Sequence, residues 1–288
     1  MIKLIAIDMD GTLLGDIRKV TKENAKAIKE AQEQGIVVVV ATGRDEKEAR
    51  LPIREASITC PIISVNGAQS RDERGNVLST FPINEDQMNV IFDILTSNEI
   101  YFELYTNHGT VSNNYEKALQ AVVDFLLSSG SDDDMETMRK IAKDRFDVGA
   151  IKLVDSYHAF IEQEATILLK ILAFSKDDQK RTTTKKKLME IDQLAISASA
   201  RDNIEITSVH AQKGLAVMAY AQKVGVSMDE VMVIGDSFND VSMFEIARLK
   251  VAMGNAEQEI KDLADFITHS NEEDGVAFAI RKMLAENK

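Results

Sequence analysis

The sequence predicts an α/β protein in which a doubly wound parallel sheet is interrupted by a second domain of different character. Uninterrupted apolar runs at residues 4–7 and 36–40 are typical of strands that are buried on both faces of a parallel sheet. Helical segments alternate with such runs at both ends of the chain, an order that predicts parallel strands joined by right-handed crossovers. In the middle of the chain, apolar and polar residues alternate more often in predicted strands such as 101–105, which favours an antiparallel sheet.

The amino-terminal part is predicted to run strand, helix, strand, helix, strand. The first helix is predicted over 21–35, because Thr21 is a good N-cap residue and Gly35 is a suitable residue just past a helix end. The second helix is predicted over 45–56. Pro52 is expected to break or kink it, since proline lacks the amide donor that a helix interior needs.

Near Pro82 the pattern of the predicted strands changes, and they become less apolar. The segment 167–174 is ambiguous between strand and helix by periodicity, and a strand is favoured. The other predicted elements of this region are helices over 115–127 and 135–145 and strands over 110–112, 195–200 and 204–207. We therefore expect residues 1–83 and 209–288 to form a Rossmann-like core and residues 84–208 to form an inserted α+β domain.

The carboxyl-terminal part returns to the first pattern. A helix is predicted over 213–224, and a buried strand follows over 231–234. Two more strand-helix units close the chain, and Asn255 is expected to cap the helix that comes after the strand over 251–253.

Composition limits the classes of partner. The 288 residues include 34 Lys and Arg against 47 Asp and Glu, so the net charge is −13. This balance disfavours nucleic acid and anionic membranes as partners, because both attract basic surfaces. A single cysteine, Cys60, excludes an intramolecular disulfide. With no bilayer-spanning segment and no signal-peptide pattern, we expect a cytoplasmic protein that is a monomer or a small homo-oligomer.

Polar clusters follow immediately after three of the predicted buried strands. The carboxyl ends of strands in an open parallel sheet form the ligand crevice where the strand order switches, so the clusters are expected to converge there. Lys213 opens a helix after a loop and can add one positive charge to them. Hard oxygen ligands without thiolates suit Mg²⁺. The clusters are Asp8 with Asp10, Thr42 with Gly43, and Asp236 with Asn239 and Asp240.

These residue types point to phosphoryl transfer. An aspartate can attack phosphorus in line, and Asp8 at the end of its strand is the candidate nucleophile. Asp10 can protonate the leaving oxygen and later deprotonate the attacking water. Asp236 is expected to bind the metal, while Asn239 and Asp240 position the metal or the phosphate. The expected phosphate-binding residues are Met9, Thr42, Gly43, Lys213 and Asn239.

Four segments resemble the motifs of the haloacid dehalogenase superfamily, namely Asp8-Met9-Asp10-Gly11-Thr12, Ala41-Thr42-Gly43-Arg44, Lys213-Gly214 and Gly235-Asp236-Ser237-Phe238-Asn239-Asp240. The insertion after the second motif, preceded by Asn66-Gly67-Ala68, resembles that of Cof-type phosphatases with a large C2-type cap. The resemblance implies that Asp8 is the nucleophile and Asp10 the acid and base. It also implies that Asp8, the Asp10 carbonyl and Asp236 bind Mg²⁺, and that the substrate is a small phosphorylated metabolite such as a sugar phosphate or a phosphorylated cofactor.

Other interpretations remain open at this point. A phosphomutase shares the aspartyl-phosphate but returns the phosphoryl group to a sugar. A phospho-aspartate sensor with little turnover also places acids after a first strand, with a hydroxyl and a lysine later. A dehalogenase is disfavoured, because Asp10 has no task in displacing a halide. Taken singly, Thr42 is explained as a helix cap and Lys213 as a solvated helix residue.

Overall fold

A computed structural model describes residues 1–15, 18–128, 134–163, 165–198 and 202–286 of the chain. The protein divides into two compact units. The terminal unit consists of Met1–Thr80 and Ala211–Lys288, and the inserted unit consists of Phe81–His210. Across the described ranges, no helix combines the length and the apolar character that crossing a membrane requires.

Strands and helices alternate along most of the chain. The strands are β1 (Leu4–Asp8), β2 (Val37–Ala41), β3 (Ile62–Ser64), β4 (Gln69–Arg71), β5 (Val77–Thr80), β6 (Tyr101–Thr106), β7 (Gly109–Ser112), β8 (Ile151–Leu153), β9 (Leu168–Phe174), β10 (Leu194–Ser197), β11 (Asn203–Ser208), β12 (Val231–Gly235), β13 (Leu249–Ala252) and β14 (Phe266–Ile267). The helices are α1 (Lys22–Glu33), α2 (Glu46–Glu55), α3 (Glu85–Ser97), α4 (Tyr115–Ser128), α5 (Met135–Asp147), α6 (Tyr157–Ile161), α7 (Asp178–Leu188), α8 (Lys213–Lys223), α9 (Val241–Phe244), α10 (Gln258–Leu263) and α11 (Gly275–Glu286).

The terminal unit is built on one eight-stranded sheet with the order β14-β13-β12-β1-β2-β3-β4-β5. The strands from β14 to β3 are parallel, and β4 and β5 add an antiparallel edge. The chain builds the sheet outward from β1 in one direction and then returns to build from β12 in the other. The strand order therefore switches between β1 and β12, which is where a doubly wound sheet binds its ligands. The predicted α/β fold with a Rossmann-like sheet is confirmed.

The centre of this sheet is buried on both faces. All five residues of β1 and all five of β12 are buried, as the uninterrupted apolar runs predict. Each large aliphatic side chain removed from water in this way stabilises the fold by roughly 1.5–3 kcal/mol. Helices α1 and α11 pack against each other, and the Ala277 amide donates to the buried Asn24 Oδ1 at 2.9 Å. The sheet thus gives the carboxyl ends of β1 and β12 a rigid support.

The inserted unit has a six-stranded sheet with the order β10-β11-β9-β6-β7-β8. All neighbouring strands are antiparallel except β7 and β8. The ambiguous segment over 167–174 is the central strand β9, so the strand prediction is confirmed; the end of the strand predicted over 195–200 lies outside the described residues. Phe92 packs in the core of this unit, with its ring centroid 5.2 Å from that of Phe102 and 5.9 Å from that of Tyr157.

A break or a kink is predicted at Pro52, and the break does not occur: helix α2 continues through Pro52 to Glu55, and the side chain of Pro52 is buried. The prediction for Asn255 is wrong. Asn255 does not cap a helix, because α10 begins two residues after the expected position and Glu257 is its N-cap residue. By contrast, the predicted cap of α1 is confirmed, since the Thr21 side chain accepts from the Asn24 amide.

Candidate active site

The centre of the candidate site is the ammonium group of Lys213, which lies between two buried carboxylates. Asp8 is the last residue of β1, and Lys213 is the first residue of α8. Lys213 Nζ donates to Asp8 Oδ1 at 2.5 Å and to Asp240 Oδ1 at 2.7 Å. None of the three side chains is more than 5% exposed. The lysine therefore compensates two charges that would otherwise be buried without a partner.

Glycine at position 214 allows α8 to deliver this lysine. The Gly214 amide donates to Ser242 Oγ at 3.0 Å, where α8 meets α9. A Cβ on Gly214 would lie 3.0 Å from the Met243 nitrogen and closer still to the Ser242 carbonyl group. The pair Lys213-Gly214 thus combines the charged group with the close helix approach that positions it.

Asp240 also shapes the loop that follows β12. Its Oδ2 accepts from the amides of Asp236 at 3.0 Å and Ser237 at 3.1 Å, while its Oδ1 accepts from Lys213. Both oxygens of this fully buried carboxylate are therefore occupied by donors of the protein itself. This arrangement fits a supporting residue that links the β12 loop to Lys213.

Asp236 packs against the turn that follows β1. Thr12 Oγ1 donates to Asp236 Oδ1 at 2.7 Å. Gly11 has φ +78°, and a Cβ there would lie 2.9 Å from Asp236 Cγ, so both the backbone conformation and the space require glycine. Asn255 Nδ2 donates to the Gly11 carbonyl oxygen at 2.8 Å and so holds the turn from the other side.

Asp10 makes a different set of contacts from the other acids. Arg44 donates to both of its oxygens, from Nε to Oδ2 at 2.8 Å and from an Nη to Oδ1 at 2.5 Å. The Asp10 side chain is 58% exposed, whereas that of Asp8 is 5% exposed. The two aspartates of the first motif therefore occupy distinct environments, one buried against a lysine and the other open to solvent and paired with an arginine.

The loops after β2 and β3 bring further polar groups to the same edge of the sheet. Thr42 is fully buried, and its Oγ1 accepts from the Arg44 amide at 3.1 Å. Asn66 Oδ1 accepts from Asn239 Nδ2 at 3.3 Å. A Cβ on Gly43 would lie 3.1 Å from that same Asn66 oxygen. These contacts connect the second and fourth motifs through a residue of the β3 loop.

The buried cluster carries more negative than positive charge. Burial, reinforced by the Asp240 carboxylate, raises the pKa of Asp8 well above its usual range, although Lys213 opposes the shift. Burial and the same neighbour raise the pKa of Asp236 to about 6. Burial acts to lower the pKa of Lys213, but the Asp240 and Asp8 carboxylates outweigh it, so that this pKa lies above its ordinary value. One ammonium group faces three carboxylates, which favours binding of a cation.

The donor set fits a divalent metal with hard oxygen ligands. Among the described residues, Asp8, Asp236 and Asp240 each offer a carboxylate oxygen, and these oxygens all lie within 4.8 Å of one another. Because Lys213 and two amides engage Asp240, the carboxylates that would hold the metal are those of Asp8 and Asp236. Two carboxylates, completed by carbonyl, water or phosphate oxygens, are what Mg²⁺ prefers.

Sequence reasoning found most of this cluster but missed several residues that organise it. The predicted residues Asp8, Asp236, Asp240 and Lys213 lie together, whereas Asp10 lies with Arg44 outside that cluster. The Met9 side chain is fully buried in the hydrophobic core, so only its backbone can serve a ligand. The unassigned residues are Thr12, Arg44, Asn66 and Asn255. Arg44 had a usable signal, since it directly follows Thr42 and Gly43 at a strand end.

Comparison with known proteins places the chain in a family. The sequence profile of haloacid dehalogenase-like hydrolases matches residues 5–280. The chain is 33% identical over 284 residues to the phosphatase YwpJ of Bacillus subtilis, covering 98% of this chain and 100% of that protein. It is 34% identical to the 5-amino-6-(5-phospho-D-ribitylamino)uracil phosphatase YwtE of B. subtilis, covering 98% of each chain. The solved structure of a haloacid dehalogenase-like hydrolase from B. subtilis superposes with a TM-score of 0.87 at 33% identity, covering 97% of this chain and 99% of that one.

The chain therefore belongs to the haloacid dehalogenase-like hydrolases, as the four motifs indicate. Within that family it is a Cof-type enzyme of the phosphoric monoester hydrolase class.

Proposed function

We propose that the protein is a Mg²⁺-dependent phosphatase that hydrolyses small phosphorylated metabolites through an aspartyl-phosphate on Asp8. The observation that carries the proposal is the buried contact between Lys213 and Asp8. Lys213 engages Oδ1 of Asp8, and we assign the bond to phosphorus to the other oxygen of this carboxylate. Fixing one oxygen by a cation orients the nucleophile, which favours covalent phosphoryl transfer.

In the first step, an oxygen of Asp8 attacks phosphorus and the bond from phosphorus to the leaving oxygen breaks. Asp10 donates a proton to that leaving oxygen, which departs as a hydroxyl group. Lys213, Thr42 and the backbone amides around Met9 stabilise the negative charge on the transferred group. The exposure of the Asp10 side chain supports this role, because a leaving group has to reach it.

In the second step, Asp10 takes a proton from water as the water oxygen attacks phosphorus. The bond between phosphorus and Asp8 then breaks, which releases phosphate and restores the carboxylate. Arg44 donates to both oxygens of Asp10 and so holds this carboxyl group in a fixed orientation. Arg44 is thus assigned as a positioning residue for the base.

Mg²⁺ would be held by the carboxylates of Asp8 and Asp236 and by the Asp10 carbonyl oxygen that the family resemblance adds. When bound, it reduces the repulsion between Asp8 and the phosphate and spreads the charge of the transition state. Asp240 and Thr12 would keep Asp236 and Lys213 in place, and Asn239 would position the phosphate.

The inserted unit is assigned the choice of substrate. All the residues with proposed reacting roles belong to the terminal unit. We therefore assign substrate selection to the inserted unit. A relative at 34% identity carries the name of a 5-amino-6-(5-phospho-D-ribitylamino)uracil phosphatase. That compound therefore belongs in a substrate panel together with sugar phosphates, pyridoxal phosphate and FMN, ranked by kcat/KM. A cytoplasmic location and a monomer or small homo-oligomer remain predictions.

Hydrolysis of p-nitrophenyl phosphate with Mg²⁺ and with excess EDTA tests the proposal. We expect turnover only with the metal, and we expect Asp8→Asn to lower kcat by at least about 1000-fold because an amide is a poor nucleophile. Asp72→Asn, in an exposed hairpin turn of the terminal unit, is the matched control and should keep the wild-type rate. Full activity of Asp8→Asn would refute the nucleophile assignment.

A further inference from the structure

The turn directly after β3 has a backbone conformation that its side chains disfavour. Val65 has φ +51°, Asn66 has φ +55° and Gly67 has φ +99°. Asparagine and glycine tolerate this left-handed region, but a β-branched residue such as valine rarely adopts it. Strain of this kind persists only where the surroundings impose it, and it is concentrated at functional sites.

The surroundings that impose it are the loops of the candidate active site. The Val65 amide donates to the Arg44 carbonyl oxygen and the Asn66 amide to the Thr42 carbonyl oxygen, both at 2.9 Å. On the other side, a Cβ on Gly67 would lie 2.6 Å from the backbone carbon of Gln212, the residue before Lys213. The turn is therefore packed between the loop of the second motif and the start of α8.

The strained turn presents one polar side chain to the fourth motif. Asn66 Oδ1 accepts from Asn239 Nδ2 at 3.3 Å, and the same oxygen lies 3.1 Å from the Cβ position of Gly43. The hydrogen bond fixes which end of the Asn239 carboxamide faces Asn66. The amide nitrogen of Asn239 carries two N–H groups, so the one that is not donated to Asn66 is left to donate to a phosphoryl oxygen.

We propose that Asn66 is a positioning residue that orients Asn239 toward the transferred phosphoryl group, and that the strained turn is maintained for this purpose. The inference rests on the proposed phosphatase function. It assigns a role to a residue of the β3 loop, which contributes none of the reacting groups. Asn66 acts through Asn239, so its effect has to depend on the presence of the Asn239 carboxamide.

The competing explanation is that asparagine occupies position 66 only because it tolerates a positive φ. The variant Asn66→Gly separates the two explanations, because glycine accepts this conformation better than asparagine and removes the carboxamide. If conformation alone matters, the variant keeps its stability and its activity. If the carboxamide positions Asn239, the variant keeps its stability and loses activity.

The experiment compares wild type, Asn66→Gly, Asn239→Ala and the double variant for urea unfolding midpoint and for Mg²⁺-dependent hydrolysis of p-nitrophenyl phosphate. We expect Asn66→Gly to leave the midpoint unchanged or raise it and to lower kcat by about tenfold, the effect of one lost positioning hydrogen bond. The double variant should be no slower than Asn239→Ala alone, because one residue acts through the other. Ser57→Gly replaces another residue at positive φ in the terminal unit and should leave kcat unchanged.

Two results would overturn the inference: full activity of Asn66→Gly, or losses of the single variants that multiply in the double variant. A second measurement separates this failure from failure of the proposed function. The rise in melting temperature on adding inorganic phosphate with Mg²⁺ should be smaller in Asn66→Gly than in wild type and Ser57→Gly. If wild type hydrolyses no ester, the proposed function fails while this comparison still decides the role of Asn66. Equal shifts in all three proteins would contradict that role.

Discussion

Substituting Lys213 with methionine removes the ammonium group from a buried cluster and keeps most of the apolar length of the side chain. Lys213 Nζ lies 2.5 Å from Asp8 and 2.7 Å from Asp240, and the lysine side chain is completely buried. Removing one partner of a buried ion pair costs about 3–5 kcal/mol, because the remaining charge loses its compensation. At about 2–4 °C per kcal/mol for a domain of 150–250 residues, the melting temperature should fall by roughly 6–20 °C.

Thermal unfolding of Lys213→Met at pH 8 and pH 5.5 measures this loss. The carboxylates that lose their partner become easier to protonate in the fold, so their penalty is present at high pH and shrinks as the pH falls. The deficit should therefore be smaller at pH 5.5. Lys3→Met is the control, since Lys3 pairs with Glu230 at the surface with its side chain 55% exposed, and should cost less than about 1 kcal/mol. An unchanged melting temperature at pH 8, or a deficit that grows on acidification, would refute the reasoning.

Three further predictions concern the metal, the base and the thiol. Because the pKa of Asp236 is raised to about 6, the free energy of unfolding of the metal-free protein should fall as the pH rises through that value. Mg²⁺ should then raise the melting temperature more at pH 8 than at pH 5. An equal rise at both pH values would count against Asp236 as a ligand. Arg44→Lys loses the bidentate contact with Asp10 and should lower kcat by about tenfold with p-nitrophenyl phosphate, whereas an unchanged kcat would remove Arg44 from the mechanism. Burial raises the pKa of Cys60, the only cysteine, to about 12, so iodoacetamide at pH 8 should label it only when the protein unfolds. Mass spectrometry measures the labelling, and rapid labelling of the native protein would contradict the burial of Cys60.

The fold and the charged cluster were predictable because their signals are local in the sequence. Strands β1 and β12 are buried on both faces. Because a strand in that position has no face in water, its sequence is continuously apolar. Acids placed directly after such strands have to meet at the carboxyl edge of the sheet. The encounter of Asp8 and Asp236 therefore followed from their positions after β1 and β12, whereas Lys213 joins them from the start of α8.

The residues that sequence reasoning missed act across long separations. Asn255 holds the Gly11 carbonyl and Asn66 holds Asn239, and in neither case does the local pattern indicate the distant partner. The local pattern around Asn255 indicated a helix cap instead, because asparagine is favoured at both kinds of position. Pro52 is likewise accommodated inside α2 with its side chain buried, although proline has the lowest helix propensity of any residue.

Trapping the phosphoenzyme tests the central claim most directly. Wild type and Asp10→Asn are mixed with p-nitrophenyl phosphate and Mg²⁺, quenched in acid, reduced with borohydride and analysed by peptide mass spectrometry. An aryl leaving group needs little protonation, so Asp10→Asn should form the acyl phosphate but hydrolyse it slowly, because the base for the attacking water is missing. We predict homoserine, the reduction product of an aspartyl-phosphate, at position 8 and in greater yield in Asp10→Asn. Turnover by the wild type with no modification at Asp8 in either protein would contradict the account.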